Sequence, residues 1–139
     1  MKNKSVQDVL AEQRQIHHEL KQAQLTLEKR RALFDQAWEC ATFPEGTSFS
    51  PVNIAGVPCE WIECAASQPQ NPVLVICHGG GYHIGSCLTH RAIAAQLAHY
   101  CQTRALTIDY RLAPEHHFPA AHDDVMAVTA HLIEQGLAV

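Results

Sequence analysis

The chain has 139 residues, 47% hydrophobic and 17% charged, with 10 Lys and Arg against 14 Asp and Glu for a net charge of −4. That is one ordinary domain, able to bury roughly two-thirds of its unfolded surface and too apolar for disorder. The negative balance gives no electrostatic footing for nucleic acid or an anionic membrane, and no apolar run approaches the roughly 20 residues that span a bilayer.

Residues 6–41 carry apolar groups three or four apart (Val6, Leu10, Ile16, Leu20, Ala23, Leu27, Phe34, Ala37 and Ala41), with Gln13 and Arg30 or Arg31 filling the other steps. This predicts one long helix, two helices or a short coiled coil. Pro44 and Gly46 in FPEGTSFSP end the pattern, which divides the chain into a helical amino-terminal segment, 1–42, and a second region, 43–139. Val52 and Ile54, then Val57, Cys59 and Trp61, alternate with other residues around a turn at Ala55-Gly56, which predicts a hairpin; Pro58 points that pair toward a sheet edge. NPVLVICH has four consecutive aliphatics, the pattern of a strand buried on both faces of a parallel sheet, with Cys77 as a small hydrophobe inside it.

From Thr89 a helix is predicted, with Ile93, Leu97 and Tyr100 on one face and Ala94, Ala98 and Cys101 beside it, then a strand in RALTIDY. Strand, helix, strand implies a right-handed crossover. A last helix opens near Pro119, with Ala121, Val125, Val128 and Leu132 inward and Gly136 at its carboxyl end. The six cysteines, Cys40, Cys59, Cys64, Cys77, Cys87 and Cys101, form no CxxC pair, and the start MKNKSVQDVL lacks the features of a secretory signal. Free thiols in a reducing cytoplasm are the simpler expectation than disulfides or zinc.

His78-Gly79-Gly80-Gly81-Tyr82 follows the aliphatic strand directly and so sets three side-chain-free residues at the carboxyl end of a parallel sheet, where ligands of such sheets bind. Bare amides suit an anion. GGGYHIGS has neither the GxGxxG of a dinucleotide site nor the GK[ST] of a phosphate loop, and a plain flexible turn is the other reading of these five residues alone. The chain then continues with GS at 85–86, THR at 89–91 and DYRLAPEHHFPAAHDD at 109–124.

This succession resembles the hormone-sensitive-lipase-like branch of the α/β-hydrolases, over about Phe43 to Leu137. The resemblance implies an α/β fold: an incomplete α/β-hydrolase sheet (hairpin plus strand-helix-strand-helix) preceded by an amino-terminal helical cap segment. It implies carboxylic ester hydrolysis through an oxyanion hole, with no metal or organic cofactor and a small-molecule acyl ester as substrate of the completed protein. The implied oxyanion donors are the N–H groups of Gly80 and Gly81; His78 and Gly79 lead the motif, with His78 shaping the loop rather than acting as base. Tyr82 is expected to line the substrate pocket, and Arg111 and Glu115 to fix a turn through ion pairs and hydrogen bonds. His116, His117 and His122 fall on the family's proline-rich turn and helix start rather than on a metal site.

Such an esterase also needs a serine on a G-x-S-x-G elbow, followed by an acid and a histidine. The serines here are Ser5, Ser48, Ser50, Ser67 and Ser86. Only Ser86 follows a glycine, and IGSCL lacks both the second glycine and a preceding strand, so no nucleophile or triad member is assigned. The chain is expected to be the amino-terminal part of such a protein, ending before the elbow and inactive alone. The alternative is a non-catalytic binding or assembly module of the same fold, like the gibberellin receptors of this family. In the family the strand at 72–77 lies between its successor and one missing here, so self-association is expected through that open edge or through the amino-terminal helix.

Overall fold

A computed structural model of the protein describes residues 6–21, 25–36 and 41–139. Its elements are helices α1 (Val6–Lys21) and α2 (Leu27–Gln36), strands β1 (Ser48–Ile54), β2 (Val57–Glu63) and β3 (Leu74–Cys77), helix α3 (Cys87–Tyr100), strand β4 (Ala105–Ile108) and helix α4 (Ala120–Glu134). Of the three readings of residues 6–41, the two-helix form is found; Ala23 and Ala37 of the apolar stripe lie outside the described residues.

The β1–β2 hairpin turns at Ala55-Gly56, where both residues have positive φ, 53° and 85°. A two-residue turn needs this to match the twist of its strands, and it sets the register that begins at Ile54↔Val57. The sheet order is β1-β2-β4-β3, with β2 antiparallel to β4 and β3 parallel to β4. The hairpin pair lies at one edge of the sheet, as Pro58 implies, with β1 outermost and Pro58 itself on the inner strand β2. The proline is tolerated there because the β2–β4 ladder begins only at Cys59↔Ile108. Pro58 offers its carbonyl to Asp109 N–H at 2.9 Å, and its missing donor falls at the ladder's end.

The aliphatic strand is less covered than its run of aliphatics implies. β4, with a neighbour on each side, is buried throughout, whereas Leu74, Val75 and Ile76 of β3 are only half-buried and Cys77 is exposed. Among the described residues β3 pairs only with β4, so its apolar run has one open flank.

The two faces of the sheet are covered differently. On one, Ile54, Val57, Cys59, Leu106, Ile108 and Tyr110 pack with Val128 and Leu132 of α4, with Ala121 and Val125 half-buried beside them. Gly136, at φ +78°, ends α4, and Leu137 N–H closes onto Leu132 C=O at 3.0 Å. On the other face, Ile62 and Ala105 meet Ala94, Ala95 and Ala98 of α3.

α3 begins two residues before the expected Thr89, and its buried face is the alanine face. Ile93, Leu97 and Tyr100 are exposed. Small side chains let the helix lie close on the sheet, which turns the larger ones outward. The same face buries one carboxylate: Glu60 of β2 takes Arg91 Nε at 2.7 Å and Nη2 at 2.5 Å, and the guanidinium lies 4.7 Å over the Phe49 ring. That pair ties α3 to β2 just below the site.

Candidate active site

Because Cys77 and Ile108 are register partners in parallel strands, the residues after them emerge side by side at one end of the sheet. Tyr110 Oη donates to His78 C=O at 2.6 Å, and its ring stacks on the imidazole at 4.1 Å and 9°. The His78 side chain is buried, and its Nδ1 lies 2.9 Å from Gly79 C=O. Its Nε2 has no hydrogen-bond partner among the described residues and stands 4.0 Å from Asp109 Oδ1. Asp109 accepts Cys87 N–H at 3.2 Å, and burial raises its carboxyl above the usual carboxylate range.

The loop after His78 is a chain of left-handed residues: Gly80 at φ +127°, Gly81 at +62° and Tyr82 at +65°. His83 and Ile84 both return their N–H groups to Gly80 C=O, at 3.3 and 3.2 Å. The turn is so tight that a Cβ on Gly80 would stand 1.9 Å from Ile84 O. Gly85 is under the same constraint, since its Cβ would lie 2.3 Å from Gly79 O and 2.6 Å from His78 Nδ1. In the sequence Gly85 is only part of a pattern; its reason is this contact.

Gly79 N–H donates to His90 Nε2 at 3.1 Å. The N–H groups of Gly80 and Gly81 donate to no protein acceptor among the described residues. All three glycines line a cavity of about 390 Å³ with Cys77, Tyr82 and Tyr110. Cys77 is thus an exposed thiol at the cavity wall, not a residue of a covered strand.

Tyr82, 65% exposed, also borders a second cavity of about 290 Å³ with Arg111, His116, Phe118 and His122. His117 is exposed. Arg111 and Glu115 do form ion pairs, each with a distant partner. Arg111 holds the buried Asp124 of α4 through its backbone N–H at 2.9 Å and its guanidinium at 2.7 to 3.0 Å. Burial pushes the Asp124 carboxyl up, but the bonds from Arg111 outweigh it and leave the pKa below its ordinary value.

Glu115 is gripped by Arg31 of α2 through two bonds of 2.8 Å. The same guanidinium donates to His83 C=O at 2.9 Å and Ala113 C=O at 3.0 Å. One turn on, Asp35 accepts Ser86 Oγ at 2.8 Å. The amino-terminal helix is thereby pinned to both loops of the site by two residues that periodicity treats as polar filler. No local signal marks them, because their partners are 51 to 84 residues away.

The Arg31 bonds hold the Glu115 carboxyl down to about 2, against an ordinary value of 4.5. A depressed carboxylate stabilises the fold above its unfolded pKa and loses that contribution as pH falls through its folded one. The clamp should therefore be complete above about pH 4.5 and open progressively toward about pH 2. Carbon NMR of the Glu115 carboxyl should titrate near that lower value in the native chain and near the ordinary value in Arg31→Ala. Equal midpoints in the two proteins would show that the clamp is not formed.

A family model described as alpha/beta hydrolase fold matches residues 74–138. An esterase of Acinetobacter venetianus is 38% identical over 109 residues, covering 77% of this chain and 35% of its own length. An esterase from the bacterial hormone-sensitive lipase family superposes with a TM-score of 0.83 at 29% identity, over 96% of this chain and 45% of that one. The esterase EstE5, in a crystal soaked with p-nitrophenyl butyrate, superposes at 0.76 and 29% identity with the same coverage. The chain thus spans about a third of the curated relative and less than half of the solved structures.

Proposed function

The chain belongs to the hormone-sensitive-lipase-like α/β-hydrolases, and from that premise we propose that it carries the oxyanion-hole portion of a serine carboxylesterase acting on small-molecule acyl esters. One observation carries the reading. Two neighbouring amides, Gly80 and Gly81, have no acceptor among the described residues and border a cavity at the carboxyl end of β3. In the reaction a serine oxygen attacks the ester carbon, a histidine takes the serine proton, and the carbonyl electron pair moves onto oxygen. The two N–H groups receive that oxyanion, each typically worth about 3 kcal/mol of barrier. His78, held by Tyr110, and Gly79, held by His90, set the loop, and Tyr82 borders the bound ester.

These 139 residues contain no G-x-S-x-G, so the nucleophile, its acid and its histidine must come from another segment. This chemistry calls for no metal or organic cofactor. A cytoplasmic location belongs to the same reading and is supported by five free thiols among the described cysteines. No described helix is long and apolar enough to cross a membrane.

The test is completion. The chain alone should leave p-nitrophenyl butyrate intact, and the chain joined to a carboxyl-terminal segment bearing the elbow should hydrolyse it. If the completed protein stays inert while butyrate still shifts the Gly80 and Gly81 amide resonances, the receptor-like module is the correct reading.

Self-association through the open edge of the strand expected at 72–77 is the second part of the proposal; Val73 N–H is taken by Ala138 C=O at 2.7 Å, so the open flank is that of β3, Leu74–Cys77. Leu74 N–H points to β4, bonding Arg104 C=O at 3.0 Å, so by alternation Val75 N–H faces the open flank. Val75→Pro removes that donor and spares the β3–β4 ladder. Sedimentation velocity should show the variant shifted toward monomer. An unchanged distribution would exclude the edge and leave the amino-terminal helix as the contact.

A further inference from the structure

The glycine loop is tied at its first residue to a single side chain of α3. Gly79 N–H donates to His90 Nε2 at 3.1 Å, and His90 Nδ1 lies 2.9 Å from Thr89 Oγ1. That hydroxyl gives its one hydrogen to Ser86 C=O at 2.8 Å and accepts Ser86 N–H at 3.2 Å. With its hydrogen committed, Thr89 Oγ1 can meet His90 only as acceptor, so the imidazole proton sits on Nδ1 and the Nε2 lone pair faces Gly79.

We propose that His90 is a positioning residue for the glycine loop: its neutral Nδ1–H tautomer holds the Gly79 amide and with it the aim of the amides that follow, and protonation at Nε2 releases the loop. The inference rests on reading Gly80 and Gly81 as oxyanion donors, and adds to that reading a dependence on the charge of one histidine. A proton on Nε2 sets donor against donor, so Gly79 N–H loses its acceptor. The strand end, the tight return to Gly80 C=O and Gly85 beneath it stay where they are, and the movement is confined to the glycines.

The groups around His90 favour the holding form near neutrality. From the end of β3 it faces His78, ring to ring at 6.0 Å, with Asp109 after β4 beyond that ring. Its neighbour on α3, Arg91, is engaged by Glu60 of β2, and Asp35 of α2 by Ser86. No carboxylate among the described residues forms an ion pair with His90 itself. Burial first, then His78, lower the His90 pKa, so release belongs below the ordinary value of 6.5.

The test is an NMR titration of the nitrogen-labelled full chain from about pH 8 to about pH 4.5, a range that brackets histidine ionisation. The amides of Gly79, Gly80 and Gly81 should move with one midpoint, equal to that of the His90 ring nitrogens and below the ordinary histidine value. In His90→Gln, whose carbonyl accepts a hydrogen bond without ionising, the three amides should keep their positions through that range. Glycine amides that ignore the His90 titration, or that titrate equally in His90→Gln with His78 still present, would overturn the proposal. The wild-type titration decides by itself should the variant fail to fold. Butyrate added near neutral pH separates the two claims: amides that follow His90 but ignore butyrate keep the positioning role and remove the oxyanion reading.

Discussion

Alanine at position 80 is expected to lower the unfolding free energy by about 3 to 5 kcal/mol. The residue sits at φ +127°, and an added Cβ would meet Ile84 O at 1.9 Å and the Ile84 carbonyl carbon at 2.6 Å. Both clashes are with backbone, so no rotamer relieves them. Ile84 cannot step back cheaply either, because its own N–H and that of His83 are bonded to Gly80 C=O. Strain of about 1 to 3 kcal/mol and two turn bonds of about 1 kcal/mol each make up the loss.

Gly136→Ala is the control, with φ +78° and nothing within 4 Å of the new Cβ, and it should cost only about 1 kcal/mol. Urea midpoints of the two variants make the comparison, and similar values would mean that the loop is not folded back on itself as described. In a completed enzyme the same Gly80→Ala change keeps the N–H but displaces it, and should reduce ester turnover by about 10² to 10³, an effect of the size seen when one oxyanion donor is lost.

The second large effect concerns Arg91. Its partner Glu60 has a side chain only 5% exposed, and Arg91→Met would leave that carboxylate without its cation on the α3 face of the sheet. Removing one member of such a pair typically costs about 3 to 5 kcal/mol, because the remaining charge is neither solvated nor paired. The double variant Arg91→Met, Glu60→Leu should recover most of the loss, since a desolvated pair exchanged for apolar groups of similar size is often neutral. Chemical denaturation of the two proteins gives the answer; equal destabilisation in both would place the loss in the contact of Arg91 with Phe49 instead. The pair also matters for the site, because Arg91 adjoins His90 and anchors the stretch of α3 that presents His90 to Gly79.

What was legible in the chain followed from how local each signal is. The hairpin at Ala55-Gly56 and the helix that ends at Gly136 depend on φ preferences of one or two residues, and both stand where local rules put them. Pro58 likewise stands in a hairpin at the sheet edge. The burial of the aliphatic strand and the buried face of α3 depend on neighbours instead, since whether four aliphatics are covered turns on strands on either side. For α3, the alanines win the core because they allow a closer approach than Ile93, Leu97 or Tyr100.

The same division holds at the site. His78 to Tyr82 announced a bare, sharply bent backbone at a strand end because glycine's lack of a Cβ is written in the residues themselves. Only the tertiary structure brought His90 to that backbone, tied Arg31, Asp35 and Asp124 to the adjoining loops at His83, Ser86 and Arg111, and made Gly85 indispensable, since hydrogen bonds over 11 to 84 residues leave no periodic trace. Conformational permission is a property of single residues, but an aimed amide belongs to everything that holds the loop around it.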